Sequence, residues 1–161
     1  MNTFSWAHIG HDILGMLIHP TFWVTGLCWL AACLLKVLLL RLRTGEFHWN
    51  RFFGSGGMPS SHTAFATALT VCIGLSEGFT SAVFGLALGL NILTAVDATG
   101  LRRSAGLQAE LLNKMALKLY KNGKGSPPKV REQLGHTLPE VLAGALLGAA
   151  MAFFAFPHQG I

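Results

Sequence analysis

Hydrophobic residues of this chain fall into four long runs separated by short polar segments. The runs cover residues 21–40, 60–75, 81–96 and 138–156. A helix of about 20 apolar residues crosses the hydrocarbon core of a bilayer. We therefore predict four transmembrane helices, with polar residues confined to their ends and to the connecting loops.

Two further segments carry a weaker helical pattern. Residues 1–19 place apolar residues near helical spacing but are interrupted by His and Asp, which predicts a helix lying on the membrane surface. Residues 101–121 predict an amphipathic helix. Its apolar side consists of Leu107, Leu111, Leu112, Met115 and Leu119. The expected fold is all-α: an integral membrane helical bundle over 20–156 that follows the interfacial helix, in a single domain 1–161.

The composition supports a membrane protein. Hydrophobic residues make up 52% of the chain and charged residues 12%, against roughly 25% charged residues in soluble domains. The net charge is +5, but no basic helix is interleaved with aromatic residues, so we expect no nucleic-acid partner. The three cysteines lie inside apolar runs and are interpreted as small buried hydrophobes rather than disulfides or metal ligands.

The polar ends of the runs can be assigned to sides of the membrane. Because consecutive spans alternate in direction, four run ends must share one side. These ends carry Lys36, His62, Asp97 and His136. All 12 Lys and Arg residues fall at or near that side. By the positive-inside bias this side is cytoplasmic, and the amphipathic helix lies there too.

A histidine begins the second run, in the segment GGMPSSH at 56–62. Glycines let the backbone turn sharply and approach a ligand closely. The free N–H groups and partial positive charge of a helix start suit an anion. Ser60 can cap the helix or donate to an oxyanion, and the amide of Gly57 can join an anion-binding nest. The alternative is a structural helix cap with an incidental His62.

A second histidine begins the last run, in LGHTLPE at 134–140. His136 lies four residues before Glu140, so both share one face if the helix begins near Gly135. A carboxylate bonded to one ring nitrogen would fix the tautomer and leave the other nitrogen free to attack. A carboxylate inside a membrane segment is costly and is a functional candidate. The alternative is that Glu140 only partners the helix dipole.

Basic residues accumulate near both histidines. Arg102 and Arg103 follow the third run, where guanidinium groups either clamp phosphate oxygens or anchor in lipid headgroups. Asp97 is expected to hold one of these arginines in place. The same choice between phosphate and headgroups applies to Lys36, Arg43 and Arg51. The two helix starts together predict a phosphate site with one imidazole to attack and one to donate a proton.

These segments resemble the divergent, bacterial and plant branch of the type 2 phosphatidic acid phosphatase superfamily. The resemblance rests on GGMPSSH at 56–62, DATGLRRSAGLQAELLN at 97–113 and LGHTLPEVLAGALLG at 134–148. Together with the helix that carries Lys36, it covers roughly residues 20–156.

The resemblance implies a helical membrane phosphatase that uses no metal or other cofactor and resides in a bacterial inner membrane. His136 would be the nucleophile that forms a phosphohistidine, Glu140 its orienting partner and His62 the general acid. Ser61 stands where the superfamily has Gly, and Glu140 where it has Asp. The candidates for holding phosphate are Lys36, Arg43, Arg51, Gly57, Ser60, Ser61, Asp97, Arg102 and Arg103.

The expected substrate is a lipid phosphate. Phosphatidic acid, phosphatidylglycerophosphate and a polyprenyl phosphate or diphosphate all suit an apolar groove beside a basic pocket. Two other functions stay open: a non-catalytic phospholipid- or phosphate-binding or transport-associated membrane protein, and a structural membrane subunit. Four spans in a short chain suggest a homodimer, and Gly144 and Gly148 pack either within the chain or between chains.

Overall fold

The first half of the predicted interfacial helix cannot be compared with the structure. The computed structural model describes residues 13–54, 56–120, 127 and 129–157. Residues 13–18 are helical, and residues 1–12 lie outside the described residues.

Helices account for nearly all of the described chain. After residues 13–18, the helices are α1 (Pro20–Thr44), α2 (Ser61–Glu77), α3 (Ala82–Thr99), α4 (Leu101–Leu119) and α5 (Leu138–Ala155). A single 3-10 turn, Trp49–Arg51, lies in the loop between α1 and α2. No strand occurs in the described residues, so the predicted all-α class is confirmed.

Three helical stretches are long and apolar enough to cross a membrane. They are Pro20–Thr44, the continuous α3–α4 stretch Ala82–Leu119, and Leu138–Ala155. α2 has 17 residues, about 25 Å of helix, which falls short of the ~30 Å hydrocarbon core. The membrane-helix bundle is confirmed, whereas the predicted count of four spans stays a prediction.

α1 is longer than its apolar run. The helix begins after His19, whose ring accepts from the Thr21 N–H, and it continues to Thr44. Gly45 ends it in the left-handed conformation, with φ 79°. Hydropathy alone predicts an end near Leu40, but arginine and leucine are good helix formers and prolong the helix until the first glycine.

α2 lies at the centre of the bundle and packs against α1, α3 and α5. A Cβ at Gly148 would lie within 3.0 Å of the Ala68 backbone nitrogen, and one at Gly144 would overlap the Ser60 carbonyl oxygen. These two glycines therefore allow α5 to pack closely against α2. Of the two alternatives, packing within the chain or between chains, they pack within the chain. The core between the helices consists of Val24, Cys28, Ala32, Ala64, Ala68, Cys72, Ala152 and Phe156.

The three cysteines are buried and free, as predicted. α4 forms the predicted amphipathic helix, and the structure shows which of its sides packs. The leucines and methionine of its predicted apolar side are all at least half exposed, and its buried residues are Gly106, Ala109 and Asn113. A Cβ at Gly106 would approach the carbonyl oxygens of Glu132 and Leu134 within 2.8 Å. The small side of α4 thus holds the loop that leads to α5, and its apolar side faces outward.

Candidate active site

Backbone hydrogen bonds bring the two histidine-bearing turns together. The Ser60 N–H donates to the Glu140 carbonyl at 2.9 Å, and the His136 N–H donates to the Ala98 carbonyl at 2.8 Å. Gly135, with φ 77°, turns directly against the backbone of Arg103, where a Cβ would overlap. The start of α2, the end of α3 and the start of α5 therefore meet at one place.

His136 is held by Glu140 and buried. The Glu140 Oε2 atom lies 3.2 Å from His136 Nδ1 and accepts from the Thr137 N–H at 2.9 Å. The imidazole is 4% exposed, and its Nε2 atom has no hydrogen-bond partner within the described part of the chain. A carboxylate on Nδ1 favours the tautomer that places the lone pair on Nε2. The buried, unpartnered nitrogen is therefore the one equipped to attack.

A polar cavity of about 250 Å³ adjoins this histidine. Its lining consists of Arg51, Gly56, Gly57, Arg103, Gln133, Leu134, Gly135, His136, Thr137 and Glu140. Both glycines of the first turn have positive φ, 91° and 89°, which non-glycine residues rarely adopt. The cavity thus combines two guanidinium groups, two glycine turns and the His136–Glu140 pair, a set suited to a small oxyanion.

Lys36 lies beneath the first glycine turn rather than at the membrane surface. Its side chain is 4% exposed, its Nζ donates to the Gly54 carbonyl at 3.1 Å, and a Cβ at Gly57 would meet its Cγ at 3.4 Å. Its charge acts on His136 and Glu140. The sequence offers two uses for Lys36, binding of phosphate or contact with lipid headgroups. A buried amine at this position does not fit contact with headgroups.

The environment of His136 keeps the imidazole neutral. Burial lowers the pKa of His136 from its ordinary value of 6.5, and the charges of Lys36 and His62 act in the same direction. The Glu140 carboxylate opposes this shift by stabilising the imidazolium. A lowered pKa leaves Nε2 unprotonated at neutral pH, which a nucleophile requires.

His62 occupies different surroundings. The side chain is exposed and does not line the small cavity. It lies at one end of an apolar groove of about 630 Å³ between α2 and α3. The groove is lined by Trp29, His62, Phe65, Ala66, Leu69, Ile73, Val83, Leu86, Ala87, Leu90, Asn91 and Thr94. The charge of His62 acts on His136, so the two imidazoles are within electrostatic range while facing separate spaces.

Asp97 forms an ion pair with Arg102, as expected for one arginine of this pair. The charges of both residues act on His62. Arg103 instead lines the small cavity together with Arg51. The two adjacent arginines are therefore divided between the two histidines.

Besides Lys36, Asp97 and Arg102, three further candidate phosphate ligands do not line the cavity. Ser60 is the buried N-cap of α2, and its Oγ accepts from the Thr63 N–H. The buried Ser61 shares a hydrogen bond with the Cys33 thiol. Arg43 is exposed in the last turn of α1. Phosphate binding by these three residues stays a prediction, and their positions in the structure are those of a cap, a packing contact and a surface cation.

Asn113, a residue that the sequence analysis did not single out, supports the site. Its Nδ2 donates to the Val130 carbonyl and to Glu132 Oε1, both at 2.7 Å, and its Oδ1 accepts from the Val130 N–H at 2.9 Å. These bonds fasten the segment that leads to Gly135 and His136. The sequence feature that could have identified Asn113 is an amide side chain among the small residues of an amphipathic helix.

Comparison with known proteins identifies the family of this chain. The Divergent PAP2 family matches residues 17–151. The chain belongs to this family. A relative from Bacillus subtilis (strain 168), described as the uncharacterized membrane protein YuiD, is 34% identical over 76% of this chain and 87% of its own length. No solved structure matches the chain. The match spans every segment of the Divergent PAP2 site described above, and it confirms the resemblance found in the sequence.

Proposed function

We propose that this Divergent PAP2 protein is a membrane lipid-phosphate phosphatase that works through a phosphohistidine. The observation that carries the proposal is His136. It is a buried imidazole with Nδ1 on Glu140 and an unpartnered Nε2, beside a cavity that contains Arg51 and Arg103. A purely structural histidine would be expected to satisfy both nitrogens when buried.

In the first step Nε2 of His136 attacks the phosphorus atom. The new N–P bond forms as the bond from phosphorus to the lipid oxygen breaks, and the bond electrons pass to that oxygen. Arg51 and Arg103 stabilise the phosphoryl oxygens, and electrostatic preorganisation of this kind is commonly a large part of the rate. Glu140 stabilises the positive charge that develops on the ring.

His62 completes the cycle from the groove side. As general acid it donates a proton to the leaving oxygen, which departs as a lipid alcohol. The same imidazole then accepts a proton from water, whose oxygen attacks phosphorus and breaks the N–P bond. Inorganic phosphate leaves, and both histidines return to their starting states.

The membrane placement follows from charge. The site lies at the side that carries the Lys and Arg residues, so we propose a cytoplasmic active face in the inner membrane of a bacterium. Membrane lipids and the lipid phosphate are the proposed partners, with no metal or other cofactor. A homodimer stays a prediction, and Gly144 and Gly148 no longer support it because they pack within the chain.

The test is phosphate release from purified protein in detergent. Wild type and His136→Ala are compared on phosphatidic acid, phosphatidylglycerophosphate and polyprenyl mono- and diphosphates, with and without chelator. We expect release from at least one lipid and a loss of about 10³-fold or more in the variant. His48→Ala, at a partly exposed histidine in the loop after α1, is the matched control.

Each alternative has its own outcome. Equal release by wild type and His136→Ala would contradict the mechanism. Binding of lipid phosphate or vanadate without release would favour a non-catalytic binding or transport-associated protein. Loss of release with chelator would indicate a metal site built on Asp97 and Glu140.

A further inference from the structure

In the groove between α2 and α3, the side-chain amide of Asn91 uses only part of its hydrogen-bonding capacity. The Oδ1 atom of Asn91 accepts from Thr67 Oγ1 at 3.3 Å, while no described residue accepts from its Nδ2. Thr94, the other uncharged polar residue of the lining, donates to the Leu90 carbonyl of its own helix at 2.8 Å. An amide donor left unpaired among hydrocarbon is costly. Asn91 Nδ2 therefore indicates an acceptor on whatever fills the groove.

The depth of this amide identifies the acceptor. Thr67 follows His62 by five residues on α2, so the Thr67–Asn91 pair lies ~7.5 Å further along the helix axis. In a glycerophospholipid the phosphorus and an acyl ester carbonyl are separated by five or six bonds, a reach of roughly 6–8 Å at about 1.25 Å per bond. A polyprenyl chain presents only hydrocarbon at that depth.

We propose that the groove binds one acyl chain of a glycerophospholipid phosphate and that Asn91 Nδ2 donates to its ester carbonyl. The inference rests on the proposed function for the position of the phosphate. Because His62 borders the groove, the leaving oxygen that it protonates would lie at the entrance to the space that holds the acyl chain. The chain then runs past Leu69 toward Ile73 and Val83, and the second acyl chain stays in the bilayer.

The test measures binding without turnover. Tryptophan fluorescence of the purified full-length protein is quenched with a diacyl phosphatidic acid analogue whose chains are brominated and whose phosphate ester is replaced by a phosphonate. Trp29 lines the groove, and Trp29→Phe identifies its share of the signal. Unlabelled diacyl, dialkyl-ether and polyprenyl phosphonates then compete with this probe.

Wild type is expected to bind the diacyl lipid about 3- to 10-fold more tightly than the dialkyl ether, the range for one hydrogen bond. Asn91→Leu keeps a similar volume and removes the donor, so its ratio falls to about one. Thr94→Val is the matched control within the groove, because its hydroxyl is used by its own helix. It is expected to keep the wild-type ratio.

Thr67→Val separates recognition from helix packing. It removes the interhelical hydrogen bond and leaves the amide in the groove, so the diacyl preference should persist even if thermal stability falls. Equal ratios in wild type and Asn91→Leu would overturn the inference. The inference would also be overturned if Thr67→Val lost the diacyl preference as fully as Asn91→Leu. A polyprenyl phosphonate that competes as strongly as the diacyl phosphonate would overturn it too.

The two proposals fail in different ways. If the protein shows a diacyl preference that depends on Asn91 but releases no phosphate from any lipid, the phosphatase proposal is contradicted. The proposed hydrogen bond from Asn91 to the ester carbonyl then stands. If the protein releases phosphate but shows no diacyl preference, the phosphatase proposal stands and the hydrogen bond to the ester carbonyl is contradicted.

Discussion

The two histidines begin helices in similar sequence contexts, yet the structure gives them opposite surroundings. His136 is enclosed, fixed by Glu140 and adjacent to a small basic cavity. His62 is exposed at the end of a larger apolar groove. A nucleophile needs one fixed orientation and a neutral ring, whereas a proton donor to a lipid oxygen must reach the side from which the lipid chain leaves. The difference in surroundings supports the proposed division of roles between the two histidines.

The largest expected effect separates attack from leaving-group protonation. His136→Asn should lower kcat/KM by about 10³-fold or more for every substrate, because no other group forms the N–P bond. His62→Asn should lower it by about 10²- to 10⁴-fold for a lipid phosphate but much less for an aryl phosphate with an acidic leaving group. Steady-state phosphate release measures both. Equal losses on the aryl phosphate would contradict the assigned roles.

The next effect concerns the contact that brings the two turns together. Gly144→Ala places a Cβ against the Ser60 carbonyl, so we expect unfolding to become easier by about 3 kcal/mol or more, with loss of activity. The matched control is Gly89→Ala on α3, where nothing lies within 4 Å of the added Cβ. It should be neutral or stabilising by about 0.5–1 kcal/mol. Thermal unfolding in detergent would compare them, and similar melting temperatures would argue against close α2–α5 packing.

A smaller effect tests the orienting carboxylate. Glu140→Gln keeps the size of the side chain and removes the charge that stabilises the imidazolium. We expect a loss of about 10- to 100-fold in kcat with a folded protein, less than for removal of His136 itself. Glu140→Asp should recover part of that loss. If Glu140→Gln is as active as wild type, Glu140 caps the helix and does not contribute to catalysis.

The smallest effect is in the pH profile. Burial lowers the pKa of His136 below 6.5, and Nε2 must be unprotonated to attack. The kcat/KM profile should therefore fall on its acid side with an inflection below 6.5, while loss of the His62 proton produces a separate fall on the alkaline side. Because Glu140 raises this pKa against the effect of burial, Glu140→Gln should move the inflection to still lower pH. An acid-side inflection above 6.5 in the wild type would contradict a buried neutral nucleophile.

Several parts of the fold and site were accessible from the sequence. The apolar runs located four of the helices because burial in lipid requires continuous apolar surface. The His136–Glu140 pair was predicted for a helix that begins near Gly135, but α5 begins at Leu138 and His136 precedes it. The contact forms instead because Glu140, in the first turn of α5, reaches back to the Thr137 N–H and to His136 Nδ1. Helix ends were less accurate, as at Thr44, because polar helix formers extend an apolar helix at no cost.

Other features depended on contacts between distant segments. Ser60 and Ser61 carry the same hydroxyl chemistry in the sequence, and only packing shows that one caps α2 while the other bonds the Cys33 thiol. The sequence identified an apolar side of α4 but not the side that packs within the protein. Gly106 makes the close contact, because small residues allow the backbone of the loop to approach.

The sequence by itself determined a helical membrane protein with two histidine-bearing turns, because hydropathy and residue spacing are local properties of the chain. Tertiary structure alone decided that Lys36 lies buried beneath a glycine turn, that Arg103 and Arg102 serve different histidines, and that Asn91 stands in the apolar groove. These relations join residues far apart in the chain. They depend on how closely the helices approach one another, which is set by packing rather than by any local pattern.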